Sequence, residues 1–188
     1  MTKQNWKPGN MLYPVPVVMV SCKKPGDENR PDIVTLAWAG TICSDPPMLS
    51  VSIRPERFSH GIIEETGEFV VNLVTEELTA ACDWCGVRSG RDYDKFREKN
   101  LTEYVSDYMA TPAIAESPVN LYCKVAKVER LGSHDMYIAE IVGVTVSERY
   151  MDEKGRFDLE AAHLVAYSHG VYHALGEKLG TFGFSVKK

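Results

Sequence analysis

The sequence predicts a mainly β fold, an antiparallel barrel interrupted by short α insertions. Three observations predict it. Short apolar, β-branched runs recur at close intervals, Gly and Pro punctuate them, and the regular alternation of strand and helix that a doubly wound α/β fold requires is absent.

Val17 to Ser21 is apolar and β-branched and lies among Pro14, Pro16 and Pro25, which reads as a strand. Ile33 to Ile42, broken only by small residues and threonines, reads as a second. Leu49, Val51 and Ile53 alternate with Ser50, Ser52 and Arg54, so a third strand sends one face to a core and presents two hydroxyls and a guanidinium on the other. Ser59 is placed to cap a short helix that carries Ile62 and Ile63 and ends at Gly67, and Phe69 to Leu73 follows as a buried strand. Thr75 reads as a second cap, with Glu76 and Glu77 in the favourable first turn. Leu78, Ala81, Cys82 and Cys85 then fall at the spacing of one helical stripe, so the Cys-x-x-Cys pair reads as core packing rather than as a redox couple.

Asp92 to Asn100 is a charged helical excursion anchored by Tyr93 and Phe96. Leu121 to Val128 and Tyr137 to Ser147 are strands joined by a hairpin at Gly132-Ser133, and Gly155 marks a turn between Tyr150 and Phe157.

Composition bounds the function. The 188 residues fit a single domain spanning 1–188, and 44% hydrophobic with 25% charged residues is ordinary globular usage. A net charge of −5 argues against a nucleic-acid partner, which needs a basic surface to neutralise phosphates. The uncharged stretch Pro8 to Cys22 is too short and too rich in proline to span a membrane, and no cleavage site marks a signal peptide. Five scattered cysteines suit reduced thiols, so a cytoplasmic location is expected.

There is no G-x-G-x-x-G loop after a strand, no Walker A lysine loop and no G-x-S-x-G elbow. No metal site is expected: His169 and His173 stand four apart and Glu160 precedes His163 by three, but Gly170 and Val171 weaken a helix between the first pair. Ser52, Arg54 and Arg57 beside a Ser59-capped helix form a donor set suited to an anion, and a hydroxyl-lined solvent face is the alternative.

The segments Thr35-Leu-Ala-Trp38, Cys43-Ser-Asp-Pro-Pro47, Val51-Ser-Ile-Arg-Pro55, Gly67-Glu-Phe-Val-Val-Asn-Leu73, Asp83-Trp-Cys-Gly86 and Ser89-Gly-Arg-Asp-Tyr-Asp-Lys-Phe96 together resemble the flavin reductase-like proteins, in particular the flavoredoxin type. The resemblance runs from about Pro14 to Phe184. It implies a six-stranded Greek-key split barrel that forms a homodimer and binds FMN. On these positions it implies that Thr35, Leu36, Ala37 and Trp38 line the isoalloxazine, with Cys43 close to the ring. Ser52, Ile53 and Arg54 would follow the ribityl chain, Ser59 and Lys95 would hold the phosphate, and His134 and Tyr167 would close the site. His134 is the possible catalytic side chain. Relatives often carry Asn where this chain has Asp32, and a carboxylate cannot donate the hydrogen bond an amide can.

The activity implied is that of an FMN-dependent oxidoreductase in which NADH or NADPH gives hydride to flavin N5 and electrons pass onward. Two alternatives stand beside it: an FMN electron carrier reduced by a partner protein, and a non-catalytic dimeric ligand-binding barrel.

Overall fold

The computed structural model of the chain describes residues 1–26 and 28–186. Its strands are β1 (Val15–Pro16), β2 (Val18–Cys22), β3 (Asp32–Leu36), β4 (Ala39–Ser44), β5 (Pro47–Ile53), β6 (Glu68–Leu73), β7 (Glu103–Ser106), β8 (Met109–Ile114), β9 (Val119–Arg130), β10 (Asp135–Val146), β11 (Val165–Ser168) and β12 (Val171–Ala174). Three α-helices, α1 (Phe58–Thr66), α2 (Thr79–Val87) and α3 (Lys95–Glu98), are inserted between them.

Seven strands form one antiparallel sheet in the order β3-β2-β6-β9-β10-β5-β4. Its two edge strands are consecutive in sequence and only Ala37 and Trp38 separate them. A sheet whose first and last strands are joined by two residues must curl until its edges meet, which makes a split barrel. The Ser52 amide donates to the Trp38 carbonyl at 2.9 Å and ties β5 to the bend. The apolar run 33–42 is therefore two strands, not one. The sheet thus has seven strands where the resemblance implies six.

Alternation builds the interior. Val18, Val20, Leu49, Val51, Ile53, Phe69 and Val71 point into the barrel with Tyr137 and Ala139, and Ile62 and Ile63 of α1 plug it. Phe69 is fully buried, which contributes about 1.5–3 kcal/mol relative to leaving it in water. The opposite face of β2 is also covered: Val17 and Met19 pack with Ile33 against Leu78, Ala81, Cys82 and Cys85 of the α2 region and Phe96 of α3. All five residues of β2 are buried for that reason.

Gly67 ends α1 in the left-handed conformation (φ 66°), its amide bonding the Ile63 carbonyl at 2.8 Å. Ser59 does not cap this helix. Arg57 holds the N-cap position without a side-chain cap, and Ser59 sits one residue inside, its hydroxyl donating elsewhere. Thr75 closes a turn that precedes α2, accepting from the Leu78 amide at 3.3 Å, and Leu78 is the N-cap. His169 and His173 belong to the β11–β12 hairpin, where His169 (φ 47°) and Gly170 (φ 84°) make the turn, so they share no helical face. No helix among the described residues is long and apolar enough to cross a membrane.

Candidate functional site

The bend at Ala37–Trp38 opens the barrel wall onto a groove made of two cavities. The upper cavity, about 400 Å³, is lined by Thr35 to Trp38, by Ser52 and Arg54 of the β5 end, by His134 and by Tyr13, Tyr167 and Tyr172. The lower one, about 320 Å³, has Asp32, Ser59 and Lys95 in its wall and Arg57, Arg88 and Arg91 around it. Arg57 and Val87 line both, so the two adjoin. Each lies in the size range of small-molecule sites.

The geometry of the upper cavity follows from packing around the bend. Thr35 donates its hydroxyl to the Cys82 carbonyl, and Gly86 passes so close that a Cβ there would stand 3.1 Å from Thr35 Cβ, so α2 seats tightly on β3. Trp38 is 39% exposed, with its ring edge on His134 (centroids 4.3 Å apart), which places it at the rim and not in the core. His134 precedes β10, and its Nδ1 lies 2.9 Å from the Ser133 hydroxyl. Partial burial, then the Arg54 guanidinium, hold its imidazole below the ordinary histidine value, so it is neutral at pH 7. Tyr172 donates to Asp83 at 3.1 Å, and burial first raises its phenol, which stays protonated.

The lower cavity has a different floor. Asp32, Ser59 and Lys95 are at most 3% exposed. Lys95 enters on α3, which Asp94 caps by accepting from the Arg97 amide at 3.2 Å. The ammonium donates to the Ile33 carbonyl and to the Cys85 carbonyl at 3.1 Å, and lies 3.1 Å from Asp32 Oδ1. Ser59 Oγ donates to Asp32 Oδ2 at 2.5 Å. Asp32 Oδ1 is sealed from solvent and is answered by the Lys95 ammonium as an ion pair. A Cβ on Gly90 would stand 2.2 Å from this oxygen, so only glycine leaves it room.

Eight of the residues singled out in the sequence thus line the upper cavity, namely Thr35, Leu36, Ala37, Trp38, Ser52, Arg54, His134 and Tyr167. Asp32, Ser59 and Lys95 line the lower one. Ile53 and Cys43 are not brought into either: the Ile53 side chain is fully buried in the barrel, and Cys43 bonds the Asp45 carbonyl on edge strand β4. Sequence reasoning passed over Arg88, Arg91, Tyr13 and Tyr172, which reach the groove from separate loops. Cys82 and Cys85 are buried, and burial pushes their thiols up to about 12 and about 11, so neither offers a thiolate near pH 7.

The donor set fits a flavin. A planar ring can lie against the main chain of the bend beside Trp38, a polyol can meet Ser52 and Arg54, and a phosphate can meet arginines.

Comparison with known proteins agrees. The family model for the flavin reductase like domain matches residues 10–176. An uncharacterised protein of Archaeoglobus fulgidus is 32% identical over 143 residues, which cover 76% of this chain and 78% of that protein. Flavoredoxin of Desulfovibrio vulgaris (Miyazaki F) superposes with a TM-score of 0.89 at 28% identity, covering 99% of this chain and 100% of that one. The FMN-binding protein from Thermus thermophilus, solved with bound 1-cyclohex-2-enone, gives a TM-score of 0.77 at 25% identity, covering 96% and 98%. With the family model spanning nearly the whole chain and the split barrel shared with these structures, the chain belongs to the flavin reductase-like family of flavin-binding proteins.

Proposed function

We propose that the chain is an FMN-binding oxidoreductase that takes hydride from NADH or NADPH and passes the electrons onward. The observation that carries this reading is the pair of adjoining cavities, aromatic and main-chain-lined above and arginine-rimmed below, which share Arg57. A bound flavin supplies the electron chemistry, accepting hydride at N5, so no catalytic triad is needed.

The protein's part is orientation. The main chain from Thr35 to Trp38 would meet the edge of the ring, Trp38 would wall its rim, and Ser52, Arg54 and Arg57 would hold the ribityl chain. His134, neutral at pH 7, has Nδ1 2.9 Å from the Ser133 hydroxyl; with that nitrogen accepting, its proton would sit on Nε2, a donor for the flavin or the nicotinamide. Tyr167 and Tyr172, with rings 5.4 Å apart, and Tyr13 shield the other end from water.

The likeness to flavoredoxin supports a second reading, an FMN electron carrier reduced by a partner protein. Anaerobic absorbance of the FMN-loaded protein separates the two. Bleaching of the flavin bands on adding NADH or NADPH supports the reductase. Bands that persist with both nucleotides but bleach with dithionite support the carrier. A colourless protein that takes up no FMN overturns both and leaves a ligand-binding barrel without redox chemistry.

We also propose a homodimer. Exposed edge strand β4, with Ile42 49% exposed, borders an apolar hollow lined by Pro16, Val18, Leu49 and Leu73, which a second copy would cover. Light scattering that gives the monomer mass overturns this. A cytoplasmic location is proposed because all five cysteines are free thiols.

A further inference from the structure

We propose that Asp135 is a positioning residue for flavin reduction: by anchoring the tip of the β9–β10 hairpin to α1, it holds the neighbouring His134 imidazole at the groove rim. The proposal rests on the reductase reading and deepens it, since that reading gives His134 its task.

The two residues are consecutive and face opposite ways. Asp135 opens β10, where it pairs with Ile53 of β5 and Arg130 of β9. Its buried side chain turns to α1, and His60 Nε2 lies 2.7 Å from its Oδ2. His134, one residue earlier, turns to the groove, where its ring centroid stands 4.3 Å from that of Trp38. A movement of the backbone at Asp135 therefore displaces the imidazole.

The tip has little else to hold it. Leu131, Gly132 and Ser133 are exposed, Gly132 takes φ 91°, and the turn is closed by the Leu131 amide donating to the His134 carbonyl at 3.0 Å. Among the described residues, the only side-chain hydrogen bond at 131–134 joins Ser133 to His134 within the tip itself. Asp135 is gripped from two elements, by His60 of α1 and by the Arg130 guanidinium, which also reaches Glu64 of α1 at 2.7 Å. Hydrogen bonds to a carboxylate from a guanidinium are among the strong ones. The helix they tie to is fixed, because Ile62 and Ile63 plug the barrel, and its N-cap residue Arg57 lines the same cavity as His134. The strut thus sets the span between His134 and Arg57, and a misplacement of about 1 Å can cost about a hundredfold in rate.

Two readouts test this. The first uses the flavin-free protein. The Trp38 ring current displaces the NMR signal of the His134 imidazole from that of an unfolded histidine, and the His134→Gln spectrum identifies the signal. Asp135→Ala is expected to collapse the displacement while the core methyl signals stay dispersed. The second is the limiting rate of anaerobic flavin bleaching by NADH in the FMN-loaded protein. Asp135→Ala is expected to slow it about tenfold, with FMN affinity changed less than about threefold. In a His134→Gln background the same substitution is expected to change the rate by less than about twofold, since nothing is left to position. Asp135→Asn keeps an acceptor for Arg130 and should restore part of the rate.

A His134 signal that is undisplaced in the wild type, or unmoved in Asp135→Ala, overturns the proposal. So does a rate loss of equal size with and without His134, which would make Asp135 purely structural. If Asp135→Ala does not fold, Arg130→Met at its solvent-exposed position decides by the same readouts: smaller changes in the same direction support the proposal, and none overturns it. If neither NADH nor NADPH bleaches the flavin, the reductase reading falls and takes the rate claim with it, while the NMR signal still decides whether Asp135 places the imidazole.

Discussion

Ser59 and His60 are neighbours on α1, yet their side chains enter polar clusters of opposite character. Ser59 joins Asp32 and Lys95, a group sealed from bulk water and open only as part of the lower cavity's wall. His60 joins Glu64, Asp135, Arg130 and Tyr137, and here every charge is answered. His60 Nε2 lies 2.7 Å from Asp135 Oδ2, Arg130 bonds Asp135 and reaches Glu64 Oε1 at 2.7 Å, and the Tyr137 hydroxyl donates to Glu64 Oε2 at 2.9 Å. Ligand atoms of His60, Glu64 and Asp135 lie within 4.8 Å of one another, close enough to share a cation, and the Arg130 guanidinium already fills that role. The difference teaches that a buried polar cluster can serve a site by standing in a cavity wall and otherwise serves as structure. The closed cluster is a strut tying α1 to the β9–β10 hairpin.

Lys95→Met breaks the open cluster and carries the largest expected effect. It leaves Asp32 buried without its cation, a loss of about 3–5 kcal/mol for a pair this deep. Urea unfolding of the flavin-free protein measures it, and a loss below about 1 kcal/mol would mean that the pair is not sealed as described.

Asp135→Asn breaks the closed cluster, where Arg130 is half in water, and a smaller loss is expected. Its signature lies in acid. The His60 hydrogen bond and then Arg130 hold the Asp135 carboxyl below its ordinary 3.8, and Arg130 does the same for Glu64 below 4.5. Depressed carboxyls contribute stability that is complete above their unfolded values and lost as pH falls through the folded ones. Thermal melts from neutral pH downward should fall less steeply for the variant than for the wild type below about pH 4; identical acid branches would remove Asp135 from the linkage.

His134→Gln sharpens the contrast from the groove side. The imidazole is held below its ordinary 6.5, so hydride transfer from NADH should show a step in the acid range that the variant lacks, with FMN affinity little changed. A wild-type profile flat across that range sinks the role given to His134. Cys82→Ala carries the smallest effect. A thiol pushed up to about 12 takes no part in exchange, and flavin reduction at saturating nucleotide should be unchanged; a large fall would restore a redox role for the pair.

How much of this was legible depended on the range of the interaction. The Leu49-Val51-Ile53 alternation, the Gly67 stop and the Gly132-Ser133 hairpin are local, and each stands where sequence reasoning put it. The bend at Ala37–Trp38 was hidden because the residues on both sides are equally apolar, and only the closure of the sheet decides where one strand becomes two. Ser59 was misread as a cap because its true partner, Asp32, lies 27 residues away. Arg57 was singled out, but Arg88 and Arg91 escaped notice because they join it from the distant α2–α3 segment, which alone reads as a solvated surface.

The seam between β3 and β4 also has a consequence for biosynthesis. The strands made first, β2 to β5, occupy both flanks of the sheet, while β9 and β10, made much later, supply its middle: Ile53 finds its partner only when Asp135 has emerged. A growing chain therefore carries the two sides of the barrel, β6 added to one of them, without the β9 and β10 that join them through most of its translation. Pairings that span so much sequence form slowly, and unpaired apolar strands waiting for them are open to wrong partners. Nascent chains stalled before Val146 should thus be protease-sensitive and aggregation-prone as a whole, with no folded N-terminal half to recover.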